Sequence, residues 1–483
     1  MTVTRRAALP LLSILLVVSA FSTARAADSR DDQLNRLLGL ALRSPFMRQA
    51  AIRLIDRIGP RVAGTPNGSH AEELAAEIFR EAGVPLVRQE AVNVPLWQVH
   101  RASLALVKPT NFSPPVVPLA NSASTPPQGL LLRLVDAGYG TPQEIAALGD
   151  AARGAALLVR TGVPAGQQWL HRSQKYDAAA AAGAAAFLYT PAGLDRPPRS
   201  GTVTLSGAPG PIPALSIPAT TGAWLARLAA AGAGPEVRVT LLADRIPATA
   251  YNIVADLPGR DSSEVVLACA HLDSWDQGQG AGDNGTGTIV LWQAARTLVE
   301  QGLRPRRTIR FVSFTGEELG LLGSGAYVRD HGAQLESIRA VVNLDMVGEP
   351  TGFATMLQPQ AAPLLADLAE HLAGFGLATD VPDRPGLYSD HQPFLLAGVP
   401  VLVLRSQLPA AVGAAYHSAR DTFDLLDLGQ QQRAAAVTAA LLWRLANADP
   451  LPTVRLDPKV VREELEAAGI EVRSVAGHPE AGH

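Results

Sequence analysis

Glu264–Ala270 (EVVLACA) is a nearly unbroken apolar run, and His271-Leu272-Asp273 follows it at once. A short apolar run without alternation is what a strand buried on both faces of a parallel sheet requires. Outward from it, Gly285–Glu300 reads as a helix, Thr308–Phe314 (TIRFVSF) as a second strand and Leu319–Asp330 as the next helix. Ala340–Met346 (AVVNLDM) and Val399–Leu404 (VPVLVL) read as the third and fourth strands, with helices over Ala361–Ala373 and Gln430–Ala446. Strand and helix in alternation predict an α/β fold, a mainly parallel sheet with helices on both faces.

In open α/β sheets, ligands bind outside the carboxyl ends of the strands. His271 follows the first strand, and Asp283 stands at the end of its glycine-rich loop, before a helix. Glu317-Glu318 come after the second strand, Asp345 closes the third, and His417 lies on a loop after the fourth. Singly, Asp283 reads as a helix cap, the glutamates as a solvated helix start and the histidines as core or loop residues. Asp345 is harder to place that way, because an aspartate closing an apolar strand is costly to bury unpaired. Together, two imidazoles and three carboxylates at one sheet edge make a ligand set suited to zinc, cobalt or manganese. Five ligands with one bridging carboxylate suit two ions, and one glutamate of the pair is left free as a general base. Asp273, two residues from His271, is placed to hold its imidazole if strand geometry continues.

Before this segment, residues 31–57 carry apolar residues at helical spacing until Gly59-Pro60-Arg61 breaks the pattern. A helix is predicted over Ser69–Ala82, with Asn67 or Ser69 as cap and Gly83 as stop. From about Leu96 to Arg245 the texture changes to short β-prone runs between Pro and Gly clusters. The runs are Ser103–Val107, Gly129–Val135, Ala155–Val159, Ala186–Tyr189, Val203–Leu205 and Val237–Leu242, with helical stretches at Tyr176–Ala184 and Thr220–Ala231. This is the pattern of a compact β-rich unit, and it holds no catalytic constellation of its own. Residues 1–26 have Arg5 and Arg6, an apolar stretch and Ala24-Arg25-Ala26, the order of a cleavable export signal. Cleavage after Ala26 removes three arginines and no acid, which takes the formal charge from -3 to -6. A periplasmic or secreted protein without a membrane anchor is expected. A final tail, 451–483, carries one short helical stretch at Pro458–Ala468.

Composition narrows the classes further. The chain has 483 residues, 41 basic and 44 acidic, which argues against a strongly basic nucleic-acid binder. Aromatic content of 5% offers no stacking platform for single strands. The single cysteine, Cys269, excludes an intrachain disulfide framework and a cysteine-based zinc cluster. Gly280-Ala281-Gly282-Asp283-Asn284-Gly285 fits G-x-G-x-x-G, but Asp283 would repel a pyrophosphate. No G-x-S-x-G elbow of a serine hydrolase occurs.

The motifs His271–Asp276 (HLDSWD), Gly280–Gly287 (GAGDNGTG), Thr315–Gly320 (TGEELG), Asn343–Met346 (NLDM), Ser389–Phe394 (SDHQPF) and Tyr416–Thr422 (YHSARDT) resemble the M28 family of co-catalytic zinc exopeptidases. HLDSWD and the order of segments are similar to the carboxypeptidase Q branch. The resemblance covers roughly residues 30–450. It implies a discontinuous catalytic domain, 27–97 and 246–450, with a protease-associated (PA) domain inserted at 98–245. It implies two zinc ions, one on His271 and Asp345, the other on Glu318 and His417, with Asp283 bridging. Glu317 would be the general base and Asp273 the partner of His271. Tyr388, Asp390 and His391 are expected near the substrate. Arg384 or Arg405 are candidates for a free carboxylate, and Asp276 or Asp390 for a free amine. The expected substrate is a dipeptide or short peptide, and a homodimer is consistent with the family. The competing readings are aminopeptidase specificity, a non-catalytic binding or receptor-like protein on the same fold, and one-zinc glutaminyl cyclisation.

Overall fold

The computed structural model describes residues 32–193 and 195–473. The export signal and the end of the tail, from residue 474, lie outside the described residues. Twelve strands are named: β1 (Leu86–Lys108), β2 (Val117–Pro118), β3 (Leu130–Asp136), β4 (Ala156–Arg160), β5 (Ala186–Thr190), β6 (Ala214–Ser216), β7 (Glu236–Leu257), β8 (Asp261–His271), β9 (Arg307–Phe314), β10 (Ile338–Asn343), β11 (Glu349–Met356) and β12 (Val401–Gln407). Their order is β11-β12-β10-β8-β9-β7-β3-β4-β5-β6-β2, with β1 on β7. The central strands β12, β10, β8 and β9 are parallel, and antiparallel β11 and β7 flank them.

Alternation along the central strands fills both faces. Val266, Ala268 and Ala270 of β8 join Ile309 and Phe311 of β9 in a core covered by helices Thr286–Glu300 and Leu428–Asn447. Val265, Leu267 and Cys269 turn the other way, onto Tyr327 and Phe394 of helices Leu322–Asp330 and His391–Leu396. Both faces being apolar explains why β8 lacks a polar–apolar rhythm. Trp292, Phe311 and Phe314 are fully buried. Each contributes about 1.5–3 kcal/mol by leaving water.

Several expectations need correction. The helix at 69–82 is Pro66–Glu81, and its cap is Thr65, whose hydroxyl accepts from the Gly68 N–H; Pro66 takes the first helical position, where its missing N–H costs nothing. Val203–Leu205 is a loop beside a lone bridge, Ala120↔Thr202. β2, β6 and β11 have no counterpart among the expected strands. Asp345 lies two residues past the end of β10, not on it. The tail is more ordered into the body than its polar composition suggested, since Val461 and Leu465 of helix Pro458–Ala467 are fully buried.

The runs Ser103–Val107 and Val237–Leu242 belong to much longer strands. β1 and β7 form one antiparallel ribbon over 23 and 22 residues, with Leu86 opposite Asp256 at one end and Lys108 opposite Glu236 at the other. Trp97 pairs with Arg245 within it. The change of texture near residues 97 and 245 therefore falls at facing positions of a continuous ribbon, not in loops. The segment 109–235 hangs from its far end and holds β2 to β6 with a core around Leu157, Tyr176 and Phe187. Among the described residues, no helix is long and apolar enough to cross a membrane.

Candidate active site

β8 ends at His271, and the chain then turns over the carboxyl edge of the sheet. Arg61 shapes that turn. Its side chain is fully buried and donates to four carbonyls: Leu272 (2.6 Å), Gly59 (3.2 Å), Gln279 (2.8 Å) and Gly280 (2.8 Å). Gly280 has φ 62°, and a Cβ there would lie 2.3 Å from the Ser274 Cβ and 2.7 Å from an Arg61 nitrogen, so only glycine fits the crossing. Asp421 then fixes the next stretch, its two oxygens accepting from the N–H groups of Gly282 (2.6 Å) and Asp283 (3.1 Å). Burial, opposed by those bonds, pushes the Asp421 carboxyl up to about 6.

Asp283 stands at the centre. Its Oδ1 is 3.2 Å from His271 Nε2, and its Oδ2 is 3.0 Å from His417 Nε2. Asp345 Oδ1 approaches the same nitrogen of His271 at 3.5 Å, and Glu318 Oε2 that of His417 at 3.1 Å. His271, Asp283 and Asp345 form one group able to hold an ion; Asp283, Glu318 and His417 form a second. All five predicted ligand positions meet there, with one carboxylate common to both groups.

The imidazoles are held for this. His271 Nδ1 lies 3.1 Å from the carbonyl of Asp273, and His417 Nδ1 lies 3.2 Å from the carbonyl of Ser200. A backbone carbonyl only accepts, so each Nδ1 keeps its hydrogen; each Nε2 faces carboxylates as a protonated donor and would give up that proton to offer its lone pair to an ion. Burial opposes protonation of His417, but Glu318 and Asp283 outweigh it and push its pKa up to about 9. Burial would also raise Asp283, yet its bonds to both histidines hold it below the usual carboxylate range. The cluster thus requires positive charge. Glu318 Oε1 is buried with no hydrogen-bond partner, as a ligand oxygen awaiting a cation would be. The donor set fits borderline divalent ions such as zinc.

Asp273 acts differently from the expectation. Its carboxylate is 3.7 Å from His271 Nδ1, beyond hydrogen-bond range, while its backbone carbonyl makes the contact. The carboxylate instead accepts from the N–H groups of Glu317 (3.1 Å) and Glu318 (3.2 Å). The reason is that β8 stops at His271, so strand alternation does not carry Asp273 to the imidazole. It aligns the glutamate pair. Trp275 Nε1 donates to Glu318 Oε2 at 2.6 Å. Ser389 Oγ donates to Asp345 Oδ2 at 2.6 Å.

A cleft of about 370 Å³ opens on the cluster, lined by Glu317, Glu318, His417, Tyr416 and Tyr388. Burial drives the Glu317 carboxyl well above the ordinary range, with Glu318 and Asp345 adding to it and His271 opposing. Asp390 and His391 are not in the lining. Asp390 is fully buried beside Ser324, and burial pushes its carboxyl up to about 7; it does not line the cleft. His391 Nε2 faces the Gly386 carbonyl at 3.1 Å. Arg405 is tied to Asp380, Asp276 is exposed, and none of Arg384, Arg405 and Asp276 reaches the cleft. The 109–235 segment, read as carrying no chemistry, supplies Trp169, His171, Arg172, Arg199 and Thr202 to the lining. Arg61, Asp421 and Ser200 escaped the sequence reading. Asp421 was within reach of it, lying four residues after His417 in the motif YHSARDT.

A mostly parallel α/β sheet with two histidine–carboxylate groups sharing an aspartate at its carboxyl edge defines a metallopeptidase architecture. Residues 252–442 match the model described as Peptidase family M28. The chain is 28% identical to mouse Carboxypeptidase Q over 433 residues, covering 87% of this chain and 90% of that protein. A crystal structure of a Peptidase M28 precursor from Shewanella amazonensis superposes with a TM-score of 0.77 at 26% identity, covering 89% of this chain and 99% of that one. BSAP, a zinc aminopeptidase from Bacillus subtilis, gives a TM-score of 0.65 at 25% identity, covering 83% of this chain and 95% of that one.

Proposed function

We propose that the protein is a two-zinc exopeptidase hydrolysing dipeptides or short peptides, with Glu317 as general base. The observation that carries this reading is the pair of ligand groups sharing Asp283 beside a cleft that Glu317 lines. His271 and Asp345 would hold one ion, Glu318 and His417 the other, and Asp283 would serve both. Bound zinc supplies Lewis acidity for the scissile carbonyl and a water nucleophile near neutral pH. Glu317, raised by burial, takes the proton of the attacking water and returns it to the leaving amine. Asp273 keeps Glu317 and Glu318 in register through their backbone N–H groups. Burial in the cleft wall excludes bulk water from the reacting groups and strengthens these interactions.

In the same reading, 27–97 and 246–450 form the catalytic domain, 98–245 is a protease-associated domain, and residues 1–26 export the chain. A non-catalytic binding protein has no need of five convergent ligands beside a raised carboxyl group. A zinc-loaded preparation tests the proposal by metal analysis and turnover of alanyl-phenylalanine. About two zinc ions per chain are expected. Glu317→Gln is expected to keep both and lose about 10²–10⁴-fold in kcat, the usual worth of a general base. A single ion per chain removes the pair, and wild-type turnover in Glu317→Gln removes the base.

A further inference from the structure

We propose that Arg172 and Arg199, both contributed by the 109–235 segment, form the subsite that takes the free α-carboxylate of a short peptide bound in the cleft. The inference rests on the peptidase reading and adds which end of the substrate is recognised, and by what.

Both arginines line the same cleft as Glu317, Glu318 and His417. The Arg199 guanidinium lies 5.6 Å over the Tyr416 ring, and that ring stacks on His417 at 3.7 Å. Arg199 is thus one aromatic ring away from a proposed metal ligand.

Neither guanidinium has an acidic partner among the described residues. Arg172 Nε donates to the Thr202 carbonyl at 2.7 Å, which fixes the plane of the group and leaves its two terminal nitrogens free. Arg199 uses only its backbone N–H, on Ser216 Oγ at 2.9 Å; its guanidinium meets no acceptor. Burial, then Arg196, lowers the Arg199 pKa, with Arg172 adding to the effect. Two like charges on one wall repel, and an anion between them relieves that repulsion while making charge-assisted bonds to both. The backbone is shaped around this arrangement. Gly201 has φ 146°, and a Cβ there would sit 2.1 Å from Arg172 Cζ. The remaining lining is neutral beside them: Tyr388 stacks on His171 at 5.2 Å and meets Trp169 edge-on at 5.6 Å, giving an apolar surface for the terminal side chain. The acidic groups Glu317 and Glu318 line the same cleft beyond Tyr416 and His417.

The test compares alanyl-phenylalanine with alanyl-phenylalaninamide on the zinc-loaded full chain. Wild type is expected to favour the free acid about tenfold or more in kcat/KM, the scale of one charge-assisted hydrogen bond. Arg199→Gln and Arg172→Gln are each expected to bring that ratio toward one through KM, with zinc content retained, and Arg199→Lys to recover part of it. Calorimetric binding of the same two compounds to Glu317→Gln protein reads the same preference without turnover. A wild-type ratio near one overturns the proposal, as does an unchanged ratio in both glutamine variants. Tight, acid-selective binding with no hydrolysis by wild type would leave the carboxylate subsite standing and overturn the peptidase reading instead.

Discussion

Replacing Arg61 should separate the fold from the site more sharply than any other single change. The side chain donates to four carbonyls drawn from three places: Gly59, Leu272 after β8, and Gln279 and Gly280 before Asp283. It is fully buried, and its charge faces Asp421, Asp273, Asp283 and Glu318, which together raise its pKa while burial lowers it to about 10. Arg61→Met leaves four carbonyls without their donor and four acids without a counter-charge. Removing one side of a buried ionic arrangement costs about 3–5 kcal/mol. Arg61→Lys keeps the charge, but an ammonium has three donors for four carbonyls, so at least one bond is lost, at about 1–3 kcal/mol. Urea denaturation of both variants, with zinc content measured on the folded protein, reads the two effects. The expected order is wild type, then Lys, then Met in stability, with zinc content falling in the same order because His271 and Asp283 lie on the strapped turns. A methionine variant within about 1 kcal/mol of wild type, carrying a full complement of zinc, would refute the reasoning.

Asp273→Asn retains one acceptor for the Glu317 and Glu318 N–H groups and turns an NH₂ against the other, so zinc affinity should fall about 10–100-fold by titration, with kcat reduced in parallel. Glu72 is buried and bonded to Thr315, and burial raises its pKa from 4.5 to about 7. The native state therefore holds a proton that the unfolded chain has released between those values, and stability falls as pH rises through that window. Glu72→Gln should flatten this slope and gain about 1–3 kcal/mol above pH 7, read from denaturation at pH 5 and pH 8; an unchanged slope would reject it. With His417 raised to about 9, the metal-free site is protonated at neutral pH, so zinc binding at pH 7.5 should release about one proton from that imidazole, seen as a buffer-dependent calorimetric heat. Zinc at a hundred times its dissociation constant should stabilise the protein by about 2.7 kcal/mol in thermal unfolding.

The sheet was legible because β8, β9, β10 and β12 are buried on both faces, and nothing but a continuous apolar run satisfies that position. The candidate ligand positions were legible because each falls at the end of a strand, just past one or on a loop that follows one. Asp273 was misread for the same reason in reverse: alternation was extended beyond the residue where β8 ends. Arg61 left no periodic trace, since three of its four carbonyl partners lie more than two hundred residues away. β1 and β7 were seen only in fragments. Their solvent-facing residues, among them Arg101 and Asp244, interrupt the apolar pattern that defines a strand in sequence. The cleft residues from 169–202 could not be found from local pattern, because their role comes from packing against the loop of His417.

The ribbon of β1 and β7 has a mechanical consequence. Two hydrogen-bonded strands of more than twenty residues bend and twist together, so a stiff ribbon and not a flexible linker carries the 109–235 segment. At its far side the same segment is latched to the sheet edge, since the Ser200 N–H donates to the His417 carbonyl at 2.7 Å and Arg473 of the tail pairs with Asp177 at 2.7 Å. Any excursion that widened the cleft would stretch the contact that orients the His417 imidazole. The width of the cleft and the aim of the His417 imidazole are in this way coupled through a single loop.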